Sequence, residues 1–454
     1  MIMLKIGLCC RAFFGGMLQS SRKVVVYFYY VLVIPLLRYL YLFSRGVQSR
    51  LIPVYGVSLL GLAIFIWGPT LYARYQRSYW NYFPLYSLLV SVLLVFLSMV
   101  FASLNILSLF IFFELSLVPI MAILFKGGKT SKKLEAGLYM FAFTRFSTFL
   151  FLAFLVLNNL SHQGVNTFTS NLTRRSYYPL LETPNSGNFA TLFIYNLTTI
   201  VILVKTPLFF MHIWLPKAHV EAPVFGSMIL ARLLLKTGGY GYLILSMSLF
   251  GLLLQWDYIV SFLILASIMA AVGCSSQVDV KMLIAYSRVN HMRIILCGII
   301  LGLRSSTLGR VVLIIGHGVI SSALFFLARD RYNQRGSRSF FFSILLGKSN
   351  INILYWLILI LINAGLPPFL IFMGEVLILK ATMNYPYLMF LFFFNYILIG
   401  YYSCLILIKL SFSKNPRNVG SLTGRGLAPY ISSTVTVIHI FLFLAFTIFQ
   451  PWLK

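Results

Sequence analysis

Carboxylates are scarce in this chain. Of its 454 residues eight are Asp or Glu, and with 36 Lys and Arg the formal net charge is +28. Charged residues total 10%, against about a quarter in a soluble protein. That balance excludes a soluble globular domain. A nucleic-acid binder reaches such a charge, but not with 60% hydrophobic residues and a mean hydropathy of +0.91. Cysteine is scarce too: Cys9, Cys10, Cys274, Cys297 and Cys404 form no CxxC, which excludes a disulfide framework or a thiolate metal site. Walker loop, Rossmann glycines, HExxH and cysteine cluster are all missing, so the chain carries no sequence site for nucleotide, flavin, iron–sulfur cluster or haem. The N-terminal MIMLKIGLCCRAFFGG lacks a clean small-residue cleavage site and reads poorly as a secretory signal.

What is present is long apolar runs. A span needs about 20 apolar residues, and candidates fall near 24–44, 51–73, 82–103, 104–125, 137–157, 189–211, 225–248, 257–277, 281–303, 307–329, 352–380, 386–411 and 430–450. No soluble domain fits between them, and the longest polar loop, 158–188, reads as a connector. The expected fold is an all-α polytopic membrane protein with about 13 transmembrane helices. Taking the N-terminus and every second connector as one side places 21 Lys and Arg there and eight on the other, with seven inside spans. The asymmetry follows the positive-inside rule and puts the N-terminus inside. The net charge is then mainly an orientation signal plus affinity for anionic lipid, and no nucleic-acid partner is expected. The 42 phenylalanines suggest an AT-rich, organellar genome.

Charge at mid-bilayer costs about 2.5–3.5 kcal/mol on insertion scales, so each intramembrane ionisable residue is a functional candidate. Glu114 sits in LFIFFELSLVPIM, where Pro119 leaves the Leu115 carbonyl without its helical donor. The bland alternative is one half of a buried salt bridge. Lys205 precedes Pro207, which frees the Leu203 carbonyl, and Pro216 and Pro223 interrupt further. Broken helices at membrane depth are tolerated where they line a wet cavity or are buried in protein. The alternative for Lys205 is a side chain that snorkels to an interface. Lys236 lies beside Gly238 and Gly239, with Arg232 one turn earlier on the same face. His291 and His317 stand in neighbouring spans among small or polar residues, where a structural role competes evenly with a catalytic one. Glu375 follows AGLPPFLIFMG, where Pro367 and Pro368 free the carbonyls of Asn363 and Ala364. Each half of the chain thus has a proline-broken helix near a titratable group, the sign of a repeat-built transporter.

These blocks carry a resemblance. LPKAHVEAPVFGSMILARLLLKTGGYGYL (215–243) resembles the signature of the chain 4 family of NADH–ubiquinone oxidoreductase, antiporter-like membrane subunits of respiratory complex I. FFELSLVPIM, VDVKMLIAYSRVNHM, IGHGVISSALFFLA and GLPPFLIFMGE match further blocks in the family's order, from about 104 to 380. Sister antiporter-like chains tend to carry lysine where Glu375 stands. The resemblance implies two inverted five-helix repeats, each with one discontinuous helix. The chain then divides into N-terminal helices (1–103), a first repeat (104–248), a second repeat (249–411) and a C-terminal helix (412–454). It implies redox-driven proton translocation in the mitochondrial inner membrane, with the N-terminus on the matrix side. Glu114 would pair with Lys205, Lys236 would be the central lysine, Glu375 the terminal group, and His291 and His317 the relay between them. No cofactor is expected in this chain; NADH, FMN, iron–sulfur clusters and ubiquinone belong to partner subunits. Partners would be other membrane-arm and accessory subunits, with anionic lipids such as cardiolipin.

The departures are specific. The family usually has fourteen helices, where thirteen spans are counted here. Arg232 stands where a small residue is usual, Ile244 and Ser276 where arginine is common, and Arg288 where serine is common. Two other readings remain: a cation–proton antiporter subunit of related ancestry, and a structural membrane subunit without its own pumping.

Overall fold

The computed structural model describes residues 106–127, 131–161, 206–207, 211–248, 256–335, 350–383 and 385–411, with scattered positions between 89 and 100 and between 435 and 447. The spans expected near 24–44 and 51–73, and most of 189–211, lie outside them. The described residues are helical. In chain order the helices are α1 (Ile106–Gly127), α2 (Lys133–Ser161), α3 (Trp214–Glu221) and α4 (Val224–Ile229). A π turn (Leu230–Leu234) leads into α5 (Leu235–Ser248), α6 (Trp256–Ser276), α7 (Val280–Ile300) and α8 (Arg304–Arg335). α9 (Asn350–Asn363), α10 (Leu370–Thr382) and α11 (Pro386–Ser411) follow. Five stretches among the described residues are long and apolar enough to cross a membrane: Ser108–Gly127, Tyr258–Ser276, Val280–Ile300, Ser305–Arg329 and Pro386–Lys409.

Two compact units divide the chain, Met1–Ile123 with Phe446–Lys454, and Leu124–Ala445. The first includes most of α1, which runs through Pro119 without ending there. The second holds α2 to α11. Its centre is α7 and α8, which pack on each other, α7 also on α3, α5 and α6, and α8 also on α4, α9 and α10. Nearly every residue of these two spans is buried, against half of α6 and a third of α11. The outer helices turn large apolar side chains outward, among them Phe146 and Phe149 on α2 and Phe390 and Phe393 on α11. Such a belt suits lipid rather than water.

In lipid, burial of apolar surface gives no net drive between helices, so close backbone approach and polar contacts hold them together. α8 and α10 meet at two glycines. A Cβ on Gly309 would stand 2.8 Å from the Gly374 carbonyl, and one on Gly374 would stand 3.0 Å from the Gly309 carbonyl. No other residue type fits either position without moving a helix.

Both proline breaks are present, with one refinement. Ala222 is extended (φ −62°, ψ 144°), as a residue before proline prefers, and α3 ends there before Pro223 opens α4. Pro216 does not interrupt: it lies in the first turn of α3, where its missing N–H has no intrahelical acceptor. Thr206 and Pro207 form a buried turn. The second break runs from Ala364 to Phe369 between α9 and α10, with a cis Pro367–Pro368 bond and Gly365 at φ +68°. Only glycine adopts that φ readily.

Candidate functional site

The site is assembled from five helices of the second unit. Lys236 sits one residue past the π turn, on α5, and its Nζ is 2.8 Å from His317 Nδ1 on α8 and 3.3 Å from Met292 Sδ on α7. The His317 ring lies 5.4 Å from the His291 ring of α7, tilted by 43°. His291 Nδ1 is 3.3 Å from Glu375 Oε1 on α10. The other carboxylate oxygen, Oε2, accepts a hydrogen bond from the Tyr396 hydroxyl of α11. Lys236 and His317 are 1% exposed, and His291 and Glu375 are 0% exposed. Groups buried this closely respond first to each other's charge, because the low local dielectric strengthens every pairwise interaction.

Helical spacing explains the alignment. On α8, His317, Ser321 and Phe325 recur every four residues and share one face. That face meets α7, where Arg288 and His291 are three apart. Arg288 Nη2 donates to the Ser321 carbonyl at 2.5 Å, and its guanidinium lies 4.1 Å from the Phe325 ring centre. His219 of α3 stacks on the same phenyl ring, 4.9 Å between centroids. Lys281 donates to the Val220 carbonyl at 3.4 Å, meeting the carbonyl end of α3 beside the first break. Arg293 donates to the carbonyl of Ala266 on α6. Three of the buried cations on α7 are therefore held by backbone carbonyls.

Four of the six expected residues are thus together: Lys236, His317, His291 and Glu375. Glu114 lies within α1, in the first compact unit, and is partly buried. Lys205 lies outside the described residues. Met292, Tyr396 and the amide pair Asn290–Asn395 (3.2 Å) also border the site, and sequence reading passed them over. Asn395 carried a usable signal, since it interrupts the apolar stretch MFLFFFNYILIG. Tyr396 carried none in a chain with 27 tyrosines.

A helical membrane bundle with a buried succession of amine, imidazole and carboxyl groups has the parts of a proton or cation carrier. Residues 103–400 match the NADH:quinone oxidoreductase/Mrp antiporter transmembrane family, and the chain belongs to that family. It is 36% identical over 318 residues to the NADH-ubiquinone oxidoreductase chain 4 of Ceratitis capitata, covering 69% of this chain and 67% of that one. The Danio rerio protein of the same name is 35% identical over 366 residues, 79% of this chain and 77% of its own. Among solved structures, a chain of the Thermus thermophilus respiratory complex I with bound NADH superimposes with a TM-score of 0.73 at 22% identity, over 88% of this chain and 82% of that one. A chain of the Mrp complex from Dietzia sp. DQ12-45-1b gives 0.73 at 15% identity, over 95% and 91%. These two likenesses are of fold.

Proposed function

We propose that Lys236, His317, His291 and Glu375 form a proton-transfer line through the membrane interior, fed by the charged pair Glu114 and Lys205. The chain is the proton-translocating membrane subunit of an NADH:ubiquinone oxidoreductase, a multi-pass protein of the mitochondrial inner membrane. The observation that carries the reading is the succession Lys236, His317, His291, Glu375, buried side by side and contributed by four different helices.

The chemistry follows from the contacts. A charged Lys236 donates to a neutral His317 at Nδ1, and the imidazolium so formed releases a proton from its second nitrogen toward His291. One ring rotation or one bridging water spans the distance between the two imidazoles. His291 then delivers the proton at Nδ1 to Glu375 Oε1, where charge is neutralised. Moving one charge across the whole membrane costs about 2.3 kcal/mol per 100 mV. Two unit charges about 4 Å apart interact by about 4 kcal/mol at an effective dielectric near 20, the scale on which pairing of Glu114 with Lys205 would act. Separating the pair takes away the carboxylate that holds the proton on Lys205, and so favours loss of that proton to Lys236 and onward.

Redox energy enters from partner subunits, which hold the NADH, FMN, iron–sulfur and ubiquinone sites; this chain supplies the protonic half. The remaining architecture belongs to the same proposal. Thirteen spans form N-terminal helices (1–103), two inverted repeats (104–248 and 249–411) and a C-terminal helix (412–454). The N-terminus faces the matrix. Neighbouring membrane-arm and accessory subunits cover the flanks, and anionic lipids such as cardiolipin meet the basic side. In support, a proline break precedes Lys236 and another precedes Glu375.

The test uses Lys236→Ala and Glu375→Gln in the assembled complex, reading protons moved per electron. Both ratios should fall, and an unchanged ratio in both variants sinks the line. The fold likeness to the Mrp complex favours a second reading, a cation–proton antiporter subunit. Purification with flavin and iron–sulfur subunits speaks for the first reading, and purification without them for the second.

A further inference from the structure

α11 touches the proton line twice, through two consecutive residues. Asn395, fully buried, donates from Nδ2 to Asn290 Oδ1 at 3.2 Å. Asn290 is the residue before His291 on α7, so this amide pair fixes the backbone that carries the imidazole. Tyr396 donates its hydroxyl proton to Glu375 Oε2 on α10. Consecutive residues on a helix point about 100° apart, so one turn of α11 faces α7 with one side chain and α10 with the next.

The backbone makes room for the second contact. Gly365, at φ +68° in the break before α10, lies against the carboxylate, and a Cβ there would stand 3.2 Å from the Tyr396 hydroxyl oxygen. The carboxylate is anchored at Oε2 by Tyr396, and Oε1 faces His291 Nδ1 at 3.3 Å without a hydrogen bond. A glutamate side chain has three rotatable bonds, and with Oε2 anchored the other oxygen has one direction left to face. Direct proton transfer needs donor and acceptor within about 2.6–3.2 Å, and the 3.3 Å separation of His291 and Glu375 lies just beyond it. A small approach of the two helices brings the pair into reach, and a small separation removes it.

We infer that the Asn395–Tyr396 step of α11 is a positioning element for the proton line, tying α7 to α10 so that His291 and the Glu375 carboxylate are kept close to transfer range. Neither residue carries a proton in this role; both act through the groups they hold. The inference rests on the proton-line reading of Glu375 and His291.

The main probe is Tyr396→Phe in the assembled complex. The ring of Tyr396 is only half-buried and phenylalanine retains its packing, so assembly on native gels is expected to be unchanged. Proton translocation driven by NADH should fall about tenfold, the scale of one hydrogen bond to a charged group. Tyr401→Phe is the matched control: same helix, same substitution, a side chain 56% exposed on the outer face, and no expected effect. Infrared difference spectra give the readout that packing alone does not move. The carboxyl band removed by Glu375→Gln should shift in Tyr396→Phe and stay in place in Tyr401→Phe.

Asn395→Ser releases the other end of the strap and should also lower translocation in assembled complex. Unchanged translocation and an unshifted band in Tyr396→Phe overturn the inference. If Tyr396→Phe fails to assemble, Asn395→Ser decides alone: lowered translocation supports the strap, and a native rate overturns it. Should Glu375→Gln itself pump normally, the proton line falls; should Glu375→Gln stop pumping while Tyr396→Phe does not, only the strap falls.

Discussion

Two ionic regions of the second unit are built on nearly the same distance and behave in opposite ways. Lys236 Nζ lies 2.8 Å from His317 in the interior, and Lys217 Nζ lies 2.8 Å from Glu135 Oε1 at the surface, where the side chains are 34% and 53% exposed. Lys217 also sits 3.6 Å from the centre of the Tyr139 ring. Water screens this outer pair and competes for both partners, so it contributes little. The interior pair is buried, so bulk water neither screens it nor competes freely for its partners, and His317 is the protein group placed to take a proton from Lys236. Contact distance therefore says little about function, and the surroundings decide whether a proton can be passed on.

His317→Leu breaks the comparison most severely. It removes the middle of the line while leaving Lys236 and Glu375 in place, in a side chain of similar bulk. Loss of a positioned acid–base group costs about 100-fold or more in a proton-transfer rate. Proton translocation in vesicles should fall on that scale with assembly retained, whereas Glu135→Gln should leave it within about twofold, as expected for a surface pair. Equal effects from the two would mean that burial does not separate the regions.

The features that made the inner line stand out in sequence are energetic. A charge between long apolar runs is costly, so Lys236 and Glu375 show themselves, and the Pro367–Pro368 and Pro223 breaks mark where backbone carbonyls are released. The pairing order does not show itself. Lys236 meets His317 across 81 positions and meets Met292 across 56, which no local pattern encodes. The π turn at Leu230–Leu234, which sets the rotation of α5 and hence where Lys236 points, leaves no mark in hydrophobic periodicity. Pro216 misled for a positional reason: proline breaks a helix in its interior and starts one in its first turn. Asn395 is legible by the same cost argument as Lys236, at the smaller cost of burying a neutral amide.

Packing gives a second and smaller break. Gly374→Leu forces a side chain against the Gly309 carbonyl and Leu313 of α8. Overpacking of this kind costs about 1–3 kcal/mol. The expected result is a lower yield of assembled complex and faster loss on mild heating, with the surviving complex slowed because α10 carries Glu375. Gly400→Leu on α11, where nothing stands within 4 Å, is the control and should assemble normally. If Gly374→Leu assembles and pumps like the native chain, the glycine contact does not set the helix spacing.

The smallest effect belongs to the outer pair, and its sign follows from linkage. The hydrogen bond and charge of Lys217 hold the Glu135 carboxyl below its ordinary value of 4.5. A carboxyl lowered on folding contributes above its unfolded pKa and loses that contribution as pH falls through the folded one. For Lys217 its hydrogen bond to Glu135 leads, burial opposes it and Tyr139 adds to it, leaving the ammonium above its ordinary 10.5. That contribution is complete below 10.5 and is lost as pH rises further. Between the two limits the contact between α2 and α3 should be flat with pH, and below about pH 4.5 it should weaken in native chain but not in Glu135→Gln. Amide hydrogen exchange of the α2 and α3 segments measures this, and the difference should shrink at high salt because exposed charges are screened. A pH response that persists in Glu135→Gln would move its origin to another group. A response that resists salt would mean that the pair is shielded from water in the assembled complex, which would bring it closer in character to the inner line.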